Sequence, residues 1–279
     1  MDWIRSYKIP IGAWAQAVVD WLIVNASWFF DGLAYGLGRV IEAMLWCLQA
    51  PPPLAVIGTI TALAFFLHRS IGFTIFTLAG LLLIANQGYW TDTTETLALV
   101  LASTIVCMGI GVPVGIAAAR RPWVYTVLQP VLDLMQTIPT FVYLIPALIL
   151  FGLGMVPGLV ATVIFAIPAP IRLTHLGITS TPKPLIEAGQ AFGATKRQLL
   201  WKVELPYAMP QIMAGLTQTI MLSLSMVVIA ALVGANGLGV PTLRALNQVN
   251  IARGFEVGVA IVLVAIILDR LFRRRPGRR

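Results

Sequence analysis

Seven apolar segments, near residues 54–69, 71–88, 96–119, 128–151, 156–175, 208–233 and 254–271, leave this chain few ways to fold. A hydrocarbon core of about 30 Å takes roughly 20 apolar residues as helix, and inside it every backbone N–H and C=O must find a partner within the protein. The segments predict an all-α, polytopic membrane protein of about seven transmembrane helices. The first two are short and separated only by His68, Arg69 and Ser70, so they read as a tight hairpin or one broken helix. At 58% hydrophobic and 11% charged over 279 residues, the chain has about half the charge share of a soluble domain, which excludes a soluble fold. No hydrophilic block is long enough to build a second folded domain.

Charge gives the orientation. Six arginines, from Arg270 to Arg279, follow the last apolar segment and mark a cytoplasmic end. Alternation then places Arg69, Arg120, Arg121 and the loop 176–207 inside, with 89–95, 152–155, 234–253 and the N-terminus outside. The inner side carries fourteen basic residues against three acidic ones and the outer side five against seven, a large positive-inside bias. The net charge of +8 is explained by topology, so no nucleic-acid partner is expected. Expected boundaries are an external amphipathic region at 1–53, a transmembrane domain at 54–272 and a basic tail at 273–279. Asp2, Asp20 and Asp31 interrupt any cleavable signal, and the N-terminus is read as retained.

Between residues 12 and 50, Gln16, Asp20, Ser27, Asp31, Glu42 and Gln49 fall within an arc of roughly 80° at helical spacing, away from Trp14, Trp21, Leu22 and Phe29. That pattern predicts one or two amphipathic helices lying in the outer membrane interface. An extra span is the alternative, at a cost of about 3 kcal/mol for each buried aspartate. Gly32, Gly36 and Gly38 are expected to break the helix, and Pro51–Pro53 to end it.

Catalytic chemistry has no foothold. There is no G-x-x-x-x-G-K-[ST] phosphate loop, and Cys47, Cys107, His68 and His175 form no metal-ligand spacing. The chain is expected to be no enzyme and to hold no cofactor or metal.

The cytoplasmic loop is the informative part. It reads EAGQAFGATKRQLLWKVELP from Glu187 to Pro206. Thr181, Pro182 and Pro184 predict a short helix from near 184 with Glu187 in its first turn, where a carboxylate complements the helix dipole. Gly193 permits the left-handed residue that ends it. Thr195 and Gln198 form a capping box for the next helix, which Leu205-Pro206 closes. Two short helices at an angle would project as a rigid knob.

Three blocks in order, 135–178, this loop and 213–239, cover much of residues 85–271. In them the chain resembles permeases of the glycine betaine/proline-type osmoprotectant branch of ABC importers, of the type I fold. The resemblance implies that Glu187, Ala188, Gly189, Gly193, Val203, Leu205 and Pro206 form the ATPase-coupling loop. Gly189 stands where the motif usually has alanine, and Val203 where it often has isoleucine. It further implies a bacterial inner-membrane complex of two permease copies, two ATPase subunits that bind ATP and Mg, and an external substrate-binding protein. Leading cargoes are choline, glycine betaine and proline betaine. An amino acid such as histidine or proline is the alternative, and a stand-alone secondary transporter or channel is the reading from another class.

The segment 208–233 resembles the family's pore-lining helix, with Met221, Ser223, Ser225 and Met226 as pathway candidates against ordinary packing. Asp133 is a second candidate against a helix-start acid. Pro139, Pro146, Pro157, Pro168 and Pro170 predict broken spans. Gly109, Gly111 and Gly115 predict close helix packing. The turn from Gly234 to Gly239 is a candidate contact for the binding protein.

Overall fold

A computed structural model describes residues 10–273. The charges at Asp2, Arg5 and Lys8, and the arginines beyond Arg273, lie outside the described residues. Helix is the only regular structure among the described residues. The order is α1 (Ile11–Gln49), α2 (Pro53–His68), α3 (Ile71–Asn86), α4 (Trp90–Arg120), α5 (Pro122–Thr137), α6 (Thr140–Phe151), α7 (Met155–Ala166), α8 (Pro168–Thr179), α9 (Lys183–Ala191), α10 (Lys196–Leu199), α11 (Leu205–Ala230), α12 (Gly239–Asn247) and α13 (Ile251–Phe272).

Five stretches are long and apolar enough to cross a membrane, six with the bent pair α5–α6 counted as one. The hairpin α2–α3 adds two helices of 16 residues each, about 24 Å long and shorter than the core. Arg69 turns that hairpin in the left-handed conformation, φ 45°. The expected span 128–151 is not straight. Its halves α5 and α6 meet at 95°. Pro139 has no N–H to give, and it holds Ile138 extended at φ −65°, ψ 130°, which stops α5 there.

α4 is the central post. Gly111 and Gly115 set its backbone against α8: an added Cβ at 115 would lie 2.6 Å from the Thr174 Cβ and 2.8 Å from the Ile171 carbonyl oxygen. Gly109 faces open space and has no such role. α11 packs on α8 through Gly177 and Gly215 and on α4 through a buried hydrogen bond, Ser103 Oγ to Ser223 Oγ, at 3.0 Å. The largest buried cluster includes Leu99, Val100, Ile220, Leu224 and Val257, and so joins α4, α11 and α13.

α1 corrects the sequence reading. It runs unbroken for 39 residues through Gly32, Gly36 and Gly38 and ends at Gln49 before the prolines. Glycine costs a helix about 1 kcal/mol but obstructs none of its bonds, so three of them weaken α1 without ending it. Its course is set by three contacts: Phe30 edge-on to Phe151, Gly38 beside Val156, and Gln49 Nε2 donating to Thr94 Oγ1 at 2.9 Å. These partners are the end of α6, the start of α7 and the start of α4, all at the same end of the bundle. Between Phe30 and Gln49, about 28 Å, α1 therefore passes across these helix ends. Trp14, Trp21, Trp28 and Tyr35, spaced by seven residues, line an exposed aromatic ridge along it.

Candidate coupling surface and translocation face

At the other end of the bundle, α9 and α10 form the knob expected between 176 and 207. α9 starts at Lys183 after Pro182, with no side-chain cap. Thr181 is buried and does not cap it, and Glu187 sits in the second turn instead of the first. Gly193 ends α9 at φ +77°. There the Ala194 N–H bonds the Gly189 carbonyl at 3.1 Å and the Gly193 N–H bonds that of Gln190 at 2.8 Å. The capping box is complete: the Thr195 hydroxyl accepts from the Gln198 N–H, and the Gln198 side chain accepts from the Thr195 N–H at 2.8 Å.

The second knob helix does not stop at Leu205-Pro206. It continues through one wide turn, Leu200–Glu204, directly into α11. A proline cannot supply the N–H that an α-turn needs at its position, and the extra residue in this turn absorbs the mismatch. The knob is thus one piece with the span that follows it. Arg120, at the end of α4, fixes it from below: its guanidinium donates to the Lys196 carbonyl and lies 3.5 Å from the Glu204 carboxylate. The sequence marked Arg120 only as an inside charge, because nothing in its neighbours announces a partner more than 70 residues away.

The loop residues divide by role. Glu187, Ala188, Gly193 and Pro206 are exposed, and Phe192 beside them is 91% exposed. Val203 and Leu205 turn inward. Gly189 is where α9 crosses the second helix: a Cβ there would lie 2.6 Å from the Leu199 Cδ2. The glycine that departs from the usual motif thus permits a closer crossing. Phe192 was not singled out from the sequence, although an aromatic between Ala191 and Gly193 in a polar loop was the available signal.

The four pathway candidates also divide. Ser223 is bonded to Ser103 in the core, and Met226 is 1% exposed among Leu144, Ala161 and Val233. Both belong to packing. Met221 and Ser225 are exposed and continue a stripe of Gln211, Ala214 and Gln218 at helical spacing on α11. By contrast the exposed residues of α2 and α3 include Leu63, Phe66, Ile71, Ile75 and Leu82, as a lipid-facing surface requires. The α11 stripe lies roughly 170° around the helix from Ser223, which meets α4. On α8, half-exposed Leu176 lies roughly 170° from Ile171 and Thr174, which also meet α4. The open edges of α8 and α11 therefore share the side away from α4. Polar groups on an exposed face at membrane depth belong against water or another protein, not lipid.

α5 borders this face. Tyr125 stacks on His175 at 3.7 Å and 3°, and Asp133 Oδ1 accepts from Arg172 Nη2 at 2.6 Å. Asp133 is thus an ion-pair partner; it lies near the end of α5, which starts at Pro122, and is not a helix-start acid. The His68 Nε2–H donates to the Arg273 carbonyl, 3.2 Å away. Among the described residues no group of His, Cys, Asp or Glu has metal-site geometry.

At the end opposite the knob, the turn Gly234–Gly239 is mostly folded in. Gly234 and Gly237 have φ +84° and +122°, and the Leu238 N–H donates to Thr96 Oγ1 at 2.8 Å. Only Asn236 and Gly234 of this turn remain exposed. Asn236 borders a cleft of about 500 Å³ with Asp92, Glu95, Arg244 and Arg253. Beside it the Tyr89 hydroxyl donates to Glu256 at 3.2 Å, and burial together with that bond pushes the phenol above its ordinary pKa.

A bundle of spans with a rigid knob projecting from one end is the architecture of a permease subunit of an ABC importer. The chain belongs to the family described as binding-protein-dependent transport system inner membrane component, which matches residues 111–274. The glycine betaine transport system permease protein OpuAB of Bacillus subtilis is 48% identical, covering 96% of this chain and 94% of its own length. The glycine betaine/carnitine permease GbuB of Listeria monocytogenes is 47% identical over 94% of both chains. The glycine betaine/proline betaine permease ProW of Escherichia coli is 44% identical over 97% of this chain and 76% of its own. Among solved structures, a chain of the inward-facing MetNI methionine ABC transporter aligns with a TM-score of 0.57 at 27% identity, over 64% of this chain and 94% of that one. An ABC importer permease works with an ATPase and a substrate-binding component.

Proposed function

We propose that this chain is the membrane permease of an ATP-driven importer of zwitterionic quaternary amines, with glycine betaine and proline betaine as leading cargoes and choline as a related cation. The observation that carries the reading is near-half identity, along nearly the whole chain, to permeases named for these solutes. The likeness to a methionine transporter extends only to part of the chain at lower identity, and it favours the common fold over an amino-acid cargo.

Two copies of the chain pair through the side away from α4, enclosing the polar α11 stripe as a shared aqueous path. The knob faces the cytoplasm, where Glu187, Ala188, Gly193 and Phe192 seat in a partner ATPase that binds ATP and Mg. When the two ATPases close, the knobs approach each other. Because α10 is continuous with α11 and Arg120 ties both to α4, that motion passes into the spans as a shift between two packings. α1 lies at the external membrane interface with its tryptophan ridge in the lipid headgroup zone. The mixed-charge cleft around Asn236 is the seat for the binding protein.

The test is ATP-dependent uptake of glycine betaine in vesicles holding the permease, its ATPase and its binding protein. Uptake of histidine or proline but not betaines would overturn the cargo. In the same assay Glu187→Lys and Gly193→Asp should abolish uptake while the permease still inserts, and unchanged uptake in both would overturn the docking role of the knob.

A further inference from the structure

The pair Asp133–Arg172 is an unusual tie. Arg172 lies about two turns inside the knob end of the α7–α8 span, and Asp133 lies on α5, yet their side chains are 35% and 53% exposed. Charges near the inner end of a span turn away from hydrocarbon, so the open side of the pair faces water, lipid headgroups or the second copy. Both ions are under-used. One hydrogen bond joins them, from Nη2 to Oδ1, and the Arg172 Nε is buried with no partner. A tie built for strength would use the guanidinium fork on both carboxylate oxygens. Nor is the pair the sole contact of α5 with α8, because Tyr125 and His175 also stack there. The pair lies on the part of α8 next to Leu176, at the edge of the face carrying the α11 stripe.

We propose that Asp133 and Arg172 are a zwitterion site on the translocation path. Arg172 takes the cargo's carboxylate with its Nη groups. Asp133, released from Arg172, faces the cationic nitrogen. A zwitterion with its charges one carbon apart replaces one hydrogen-bonded ion pair by two, a hydrogen-bonded one at the guanidinium and a purely Coulombic one at the quaternary nitrogen, so neither ion is left unmatched and the net gain on binding stays small. A path needs that weakness, because a site that held its cargo tightly would block passage. An uncharged solute opens the pair only by leaving both ions unmatched, and a cation such as choline only by leaving Arg172 unmatched, so the site favours zwitterions over choline. The inference rests on the zwitterion reading of the cargo.

The test uses the complete importer, with ATPase and binding protein, in proteoliposomes, and glycine betaine as probe. The variants are Arg172→Gln, Asp133→Asn and the two together, each checked for assembly with the ATPase. Betaine uptake is expected to fall by about tenfold or more in all three, while ATP hydrolysis stimulated by the loaded binding protein stays within about twofold of wild type. Recovery of uptake in the double variant would overturn the proposal, since a merely structural tie is relieved when both charges go. Failure of all three variants to assemble, or an equal loss of hydrolysis and uptake, would also overturn it. If the unaltered importer takes up another solute and no betaine, the cargo reading falls and carries this site with it.

Discussion

At Gly193 a single backbone angle, φ +77°, decides where α9 stops. Any Cβ there is strained by about 1 kcal/mol. Gly193→Ala should therefore loosen the knob by that amount, seen as faster amide exchange over 186–194 with the spans unaffected. Gly189 behaves differently. The Cβ of Gly189→Ala would meet the far end of the Leu199 side chain at 2.6 Å, and a flexible methyl can move, so the expected loss is below about 1 kcal/mol in a thermal melt. Arg120 has more to lose. Arg120→Gln removes the ion pair to Glu204, whose carboxylate side chain is only 15% exposed, and should weaken coupling: hydrolysis persists while uptake per ATP falls.

Between elements, the closest approaches lie where a side chain is missing. Gly115→Ala would place a Cβ 2.6 Å from Thr174 and 2.8 Å from a backbone oxygen of α8, neither of which can retreat without moving the helix. A destabilisation of about 1–3 kcal/mol is expected, measured as a lowered melting temperature in detergent. Gly109→Ala, six residues earlier on α4 and facing open space, should be neutral or slightly stabilising in the same measurement. Both glycines read alike in the sequence. Likewise the three glycines of α1 leave the helix intact, while Pro139 turns the α5–α6 pair through 95°. A proline removes a bond, whereas a glycine only weakens a preference.

Across the whole molecule, the polar α11 stripe and the apolar outer faces of α2 and α3 make opposite predictions. In the assembled importer, Gln218→Cys and Ser225→Cys should react with a membrane-impermeant thiol reagent and be protected by cargo, whereas Ile75→Cys should stay unreactive. The all-α membrane class, the seven apolar segments, the knob with its Gly193 stop and Thr195–Gln198 box, and the lack of a phosphate loop were all legible in the chain. Each depends on residues within a few positions of one another, or on the energy of placing a side chain in hydrocarbon, and local sequence carries both. The tertiary structure alone placed Met221 and Ser225 on an open face and Ser223 and Met226 in the core. It also paired Arg120 with Glu204, Asp133 with Arg172, and laid α1 across the ends of its neighbours. These outcomes depend on which helices pack together and at what angle. Hydropathy within a segment cannot express that, because a residue turned to a neighbouring helix and one turned to lipid have the same apolar surroundings in the sequence.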